Sequence, residues 1–114
     1  MSKPIKLITK ELLIKLPSID EITIDNVTDT LLYIRYTLND CEWYVAQLDK
    51  DESLFRGIKY ENDVGTMVYW SLSDLISNED YFGMRAERDI SFSTTKISDM
   101  FMINTDEMTF RKKI

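Results

Sequence analysis

The sequence predicts a single α+β domain, with a mainly antiparallel sheet of about five strands and short N-terminal, middle and C-terminal helices. An alternating apolar run at 30–38 and further apolar-rich runs at 42–48, 54–60 and 64–70 are separated by short acidic or Asn-containing breaks, the pattern of a meander. Helix starts stand out at Thr9 and Ser71, each a hydroxyl residue before an apolar stretch. At 114 residues the chain is the size of one core-forming unit. The domain is expected to span 1–103, followed by a tail of uncertain order at 104–114.

Taking the elements in order, Thr9 caps a helix over 10–16 and Pro17 stops it, leaving Leu12, Leu13 and Leu16 to face the core. From 18 to 29 the chain is acidic, and Ile22 and Ile24 alternating with Thr23 and Asp25 suggest a brief edge strand. In the next strand Leu32, Ile34, Tyr36 and Leu38 share one face, with Leu31, Tyr33, Arg35 and Thr37 on the other. Asn39-Asp40 turns the chain into the aromatic run Trp43-Tyr44-Val45, and residues 49–52 turn it again. Gly57 inside the third strand signals a bulge or a close backbone approach.

The fourth strand ends in Tyr69-Trp70, and Ser71-Leu72-Ser73-Asp74 has capping-box spacing, so a helix of about two turns follows. A loop at 78–83 leads to a fifth strand over 84–92. Thr94 or Thr95 then caps a last short helix through Ile97, Met100 and Phe101.

Composition excludes much familiar chemistry. The chain has no histidine, which removes Ser-His-Asp and Cys-His systems, histidine proton shuttles and His-ligated zinc sites. Its one cysteine, Cys41, cannot form an intramolecular disulfide, and Asp40 and Glu42 beside it disfavour a thiolate. Three glycines make no phosphate-cradling loop. The expectation is a non-enzyme with no cofactor and no metal.

The formal charge is −6. Direct nucleic-acid binding is therefore not expected, since the basic residues cluster only at Arg111-Lys112-Lys113. No apolar run is long enough for a membrane span and Met1-Ser2-Lys3-Pro4 opens no signal peptide, so a cytoplasmic protein is expected. Acidic residues gather in the expected turns, with Asp20, Glu21, Asp49, Asp51, Glu61 and Asp63 the candidates for a surface that meets a positively charged protein partner.

A second constellation is Glu87-Arg88-Asp89 with Tyr69 and Trp70. Alternation points Arg88 with the apolar set Met84, Ala86, Ile90 and Phe92, where a guanidinium needs a carboxylate such as Asp74 or an anionic ligand. Glu87 and Asp89 fall on the opposite face. The expectation is an internal ion pair, with a small-ligand site or an unfamiliar enzyme beside the capped helix as the alternative.

The blocks Lys6-Leu7-Ile8-Thr9-Lys10-Glu11-Leu12 with Leu16-Pro17, Trp43-Tyr44-Val45, Tyr69-Trp70-Ser71-Leu72-Ser73-Asp74-Leu75 and Glu87-Arg88-Asp89-Ile90-Ser91-Phe92 occur in that order. In order and spacing the chain resembles the small bacterial and phage domain-of-unknown-function family number 2958. Members of that family usually carry a glycine before the aromatic pair and a proline before Glu-Arg-Asp, where this chain has Val68 and Arg85-Ala86. The resemblance implies an origin on plasmids, conjugative elements or phages, close to antirestriction genes, and brings no catalytic residues with it. With the acidic charge it implies an inhibitor of a host defence nuclease, of anti-CRISPR or antirestriction type, acting in the bacterial cytoplasm.

Overall fold

Thr9 Oγ1 accepts the Leu12 N–H (3.2 Å), and this bond starts α1 (Lys10–Lys15) in the computed structural model, which describes residues 7–77 and 85–113. Leu16 closes the helix by donating its N–H to Leu12 O (3.1 Å) and is itself buried, with Leu12 and Leu13 packed against the same cluster. Both ends and the apolar face of this helix follow from local sequence.

The edge strand expected around Ile22 and Ile24 does not form. Asn26 takes the backbone groups that a strand would have used: its Oδ1 accepts the Thr23 N–H (2.8 Å) and its Nδ2 donates to Glu21 O (3.0 Å). A 3-10 turn follows at Val27–Asp29, with Val27 buried.

The predicted strand 30–38 is split into β1 (Leu31–Leu32) and β2 (Ile34–Leu38). At the break the Tyr33 N–H bonds to Val45 O (2.8 Å), and β1 leaves to pair with β7 (Thr95–Lys96) as a separate two-stranded sheet. The main sheet continues through β3 (Cys41–Asp49), β4 (Leu54–Glu61) and β5 (Val64–Ser71), all antiparallel. Asn62 and Asp63 both have positive φ (54° and 64°), as a tight turn between twisted antiparallel strands requires.

From Glu42 to Leu48 every residue of β3 is buried, because the sheet is covered on both faces. Trp43, Val45 and Leu48 join Tyr36, Phe55, Trp70 and Leu75 in a cluster with α1 packed against it. Tyr44 and Ala46 join Leu32, Ile58, Ile97, Phe101 and Phe110 in a second. The register shifts between Val45 and Gln47, and Gly57 lies opposite Val45. A Cβ at Gly57 would stand 1.8 Å from Tyr44 O, so the expectation of a close backbone approach holds.

Ser71 and Asp74 form the predicted capping box: the Asp74 N–H donates to Ser71 Oγ (3.0 Å) and the Ser71 N–H to Asp74 Oδ2 (3.1 Å). These bonds hold the Asp74 carboxyl below its usual range, and α2 (Leu72–Ser77) follows. The loop at 78–83 and the start of the next strand lie outside the described residues. Of the expected fifth strand over 84–92, the described residues form β6 (Glu87–Arg88), paired with β2; the chain turns at Ile90, which stands exposed.

The last helix is a single turn, α3 (Ile97–Met100), with Lys96 at the cap position and no side-chain cap, because Thr95 belongs to β7. The supposed tail is structural. β8 (Phe101–Asn104) and β9 (Thr109–Lys112) form a hairpin whose second strand pairs with β5, giving the order β6-β2-β3-β4-β5-β9-β8. Phe110 on β9 has no exposed surface, so the core extends through this segment. The described residues thus hold nine strands, where about five were expected, in an α+β arrangement that remains mainly antiparallel.

Candidate functional site

One end of the sheet carries a chain of charged groups that crosses from its β6 edge to β9. Arg35 on β2 and Tyr44 on β3 are register partners and face the same side; Glu42, two residues before Tyr44, shares that side. Arg35 Nε donates to Glu42 Oε1 (2.8 Å), and its Nη2 makes a still closer contact with the same oxygen. Tyr44 OH donates to Oε1 (2.9 Å), and Lys112 Nζ on β9 donates to Oε2 (2.5 Å). At the other edge Arg35 Nη1 reaches Asp89 Oδ2 (2.7 Å), while Asp89 Oδ1 accepts from Ser91 Oγ (2.6 Å). Lys112 Nζ also sits 4.9 Å from the centre of the Tyr60 ring.

Glu42 is buried, at 7% exposure, and is the only buried carboxylate among the described residues. Burial pushes its carboxyl up, but hydrogen bonds from Lys112, Arg35 and Tyr44 together outweigh that and hold it below the ordinary range. Burial likewise opposes the Arg35 charge; the bonds to Glu42, Tyr44 and Asp89 overcome it and raise the guanidinium. Asp89 is held low, first by the Ser91 hydroxyl and then, against some desolvation, by Arg35. The Tyr44 hydroxyl is pushed up by burial, so it serves as a neutral donor.

Above this network lies a groove of about 1020 Å³. It is lined by the β2–β3 turn (Asn39, Asp40), the β4–β5 turn (Asn62, Asp63), Arg111 and Lys112 of β9 with the following Lys113, and by Arg35, Glu42 and Tyr60. Burial raises the thiol of the neighbouring Cys41 to about 11, a stronger cause than the acidic neighbour Glu42.

The sequence-predicted sites fare differently. Arg88 is half-buried on β6 with Tyr36 as its register partner, while Asp89 turns to the opposite face and pairs with Arg35. Tyr69 and Trp70 on β5 lie four inter-strand spacings from β6, about 19 Å along the sheet. Tyr69 projects on the face opposite to Arg88, where it stacks with Arg56 (4.7 Å) and accepts a hydrogen bond from it. Trp70 fills the core on the other face, its Nε1 buried with no hydrogen-bond partner among the described residues. Glu87, Arg88, Asp89, Tyr69 and Trp70 therefore line no common cleft. The anchoring guanidinium of this region is that of Arg35.

The six acidic candidates divide between the two ends of the sheet. The Asp20 N–H bonds to Gln47 Oε1 (3.3 Å), which brings Asp20 and Glu21 to the β3–β4 turn, where Asp49 Oδ1 accepts the N–H groups of Asp51 and Glu52. Glu61 and Asp63 lie at the far end of the eight-residue β4, about 25 Å away. Asp63 lines the groove while Glu61 pairs with Lys59 on the opposite face, so no continuous surface joins all six.

No protein-family model, curated protein or solved structure matches this chain. Two of the sequence blocks have physical roles in this fold. Aromatic-Ser-Leu-Ser-Asp is a strand end plus a capping box, and Glu-Arg-Asp supplies Asp89 to Arg35. Among the described residues no helix is long and apolar enough to cross a membrane, and no group of three or more Cys, Asp or Glu side chains converges as a metal site.

Proposed function

We propose that this chain is a small, non-enzymatic binding protein of a mobile genetic element, which engages a basic, nucleic-acid-binding defence protein of its host through its acidic end. The mobile-element setting comes from the family resemblance. The observation that carries the reading is the gathering of Asp20, Glu21, Asp49 and Asp51 at one end of the sheet, next to a hollow of about 320 Å³ lined by Leu13, Ile14, Leu48, Lys50 and Ser53.

Ile14 is 80% exposed there, although Leu12 and Leu13 of the same helix pack inward. An apolar centre with a charged rim is the composition of a protein-binding patch: the centre supplies burial and the rim selects the sign of the partner. Carboxylates on this end would take the place of phosphates in a basic groove.

The test is a pull-down from nuclease-treated host lysate with the native chain, an Asp20→Lys/Glu21→Lys/Asp51→Lys variant and a Glu61→Lys/Asp63→Lys control. A nucleic-acid-binding protein should be retained by the native chain and the control and lost from the triple variant. With that partner purified, the association rate should fall about tenfold or more on charge reversal and decline with salt. Equal retention by all three chains would refute the reading.

A further inference from the structure

We propose that the groove at the opposite end of the sheet binds a small phosphate-bearing anion. This places a ligand site away from the Glu87-Arg88-Asp89 strand, at the guanidinium that Asp89 supports, and it is independent of the acidic end. Two separate observations meet here. Arg111-Lys112-Lys113 is the one basic run in a chain of net charge −6, and folding lays it along a groove of about 1020 Å³ that Arg35 also lines.

The donors are already in place. Lys112 is fixed by Glu42 and by the Tyr60 ring, yet an ammonium has three N–H bonds and only one is directed at Glu42. Arg35 is held from two sides by Glu42 and Asp89, which leaves part of its five-donor fork for a further acceptor. Anchoring both cations beforehand lowers the ordering cost of binding. Arg111 and Lys113 stand exposed at the rim.

The acidic residues decide the class of anion. Asp40 and Asp63 sit on the two turns that flank the groove. An extended phosphate backbone crossing the groove would run past them and be repelled, whereas a compact phosphate or pyrophosphate group fits between the cations. The volume, about 1020 Å³, suits a ligand of mononucleotide size.

The experiment is an amide-resonance titration of the ¹⁵N-labelled chain at low ionic strength, with sodium pyrophosphate as the probe and ADP and a short oligothymidylate as comparison arms. Pyrophosphate should shift the amides of Glu42, Asn62, Lys112 and Lys113 with a dissociation constant below about 1 mM. An Arg111→Gln/Lys113→Gln variant, which leaves the buried network intact, should bind about tenfold more weakly with an unchanged melting temperature. ADP matching pyrophosphate assigns recognition to the phosphates alone; ADP binding tighter assigns an added contact to the nucleoside.

Three results would overturn the proposal: no shift with pyrophosphate up to about 10 mM, shifts that persist in the double variant, or an oligothymidylate that binds more tightly than pyrophosphate. The Asp20→Lys/Glu21→Lys/Asp51→Lys variant should keep the response. Loss of partner capture with retention of anion binding would separate the two sites.

Discussion

Replacing Glu42 by Gln keeps the shape of the most buried charged side chain and removes its charge. The cost follows from its partners. Glu42 accepts from Arg35, whose side chain is 28% exposed, and from Lys112, 41% exposed. A charge-assisted hydrogen bond contributes about 1.5–3 kcal/mol when shielded, and the partly exposed Lys112 pair is discounted to about 0.5–1 kcal/mol. The Tyr44 bond survives in an amide. The sum is about 2–4 kcal/mol, and at about 2.1 cal/mol/K per residue over this chain the melting temperature should fall by about 8–17 °C.

The pH dependence has a definite sign. The Glu42 carboxyl is depressed in the folded state, so the unfolded chain binds its proton first as pH falls. The charge-dependent stability is fully present above the unfolded value near 4.3 and disappears as pH drops through the lower folded value. Melting curves of the native and Glu42→Gln chains should therefore run parallel from neutral pH to about 5 and converge below about 4. A gap smaller than about 3 °C at neutral pH, or one that widens in acid, would refute this account of the network.

Gly57→Ala should cost about 4 kcal/mol or more, since the new methyl would meet the Tyr44 carbonyl oxygen at 1.8 Å, a backbone atom that no rotamer change can move. Gly65→Ala, whose nearest neighbour is the Ile58 Cγ2 methyl at 2.7 Å, should cost about 1–2 kcal/mol, and equal denaturation midpoints for the two would dispose of the argument. Phe110→Ala should lower stability by about 3–5 kcal/mol in urea unfolding; a cost below about 1 kcal/mol would make the β8–β9 hairpin an appendage and not part of the core.

The elements legible in the sequence are those whose signals lie within a few residues of one another. Thr9 to Leu12, Ser71 to Asp74, the Asn39 turn and the apolar runs of β3 to β5 between turn residues each rest on near neighbours in the chain. The reading fails where a group outside the segment decides. Ile22 and Ile24 alternate like a strand, but Asn26 ties the backbone into a turn. The segment 104–114 is polar enough to read as a tail, but β5 offers an open edge at Gly65 and Thr66 and a place in the core for Phe110.

The charged site divides in the same way. Alternation correctly sent Asp89 to the face opposite Arg88, and it put Arg35 opposite Ile34 and Tyr36. It did not single out Arg35, because a charged residue on the polar face of a strand is ordinary until another strand or hairpin covers that face. Glu42 gave a partial signal: it begins a run of residues in β3 that are all buried, where a carboxylate requires donors. Its donors come from residues 35, 44 and 112, and only the first two are near it in the chain.

By itself, then, the sequence determined the α+β class, the helix caps, the β3 to β5 meander, the close approach at Gly57 and the absence of histidine chemistry. These depend on local hydrogen bonds, steric rules and composition, which are the same wherever the chain goes afterwards. Only the tertiary structure decided that the last residues close the sheet, that Arg35 and not Arg88 holds the buried carboxylate, and that the acidic candidates lie at two separate ends. Those outcomes depend on which strands become neighbours, a long-range pairing chosen by burial of the whole core and carried by no single stretch of residues.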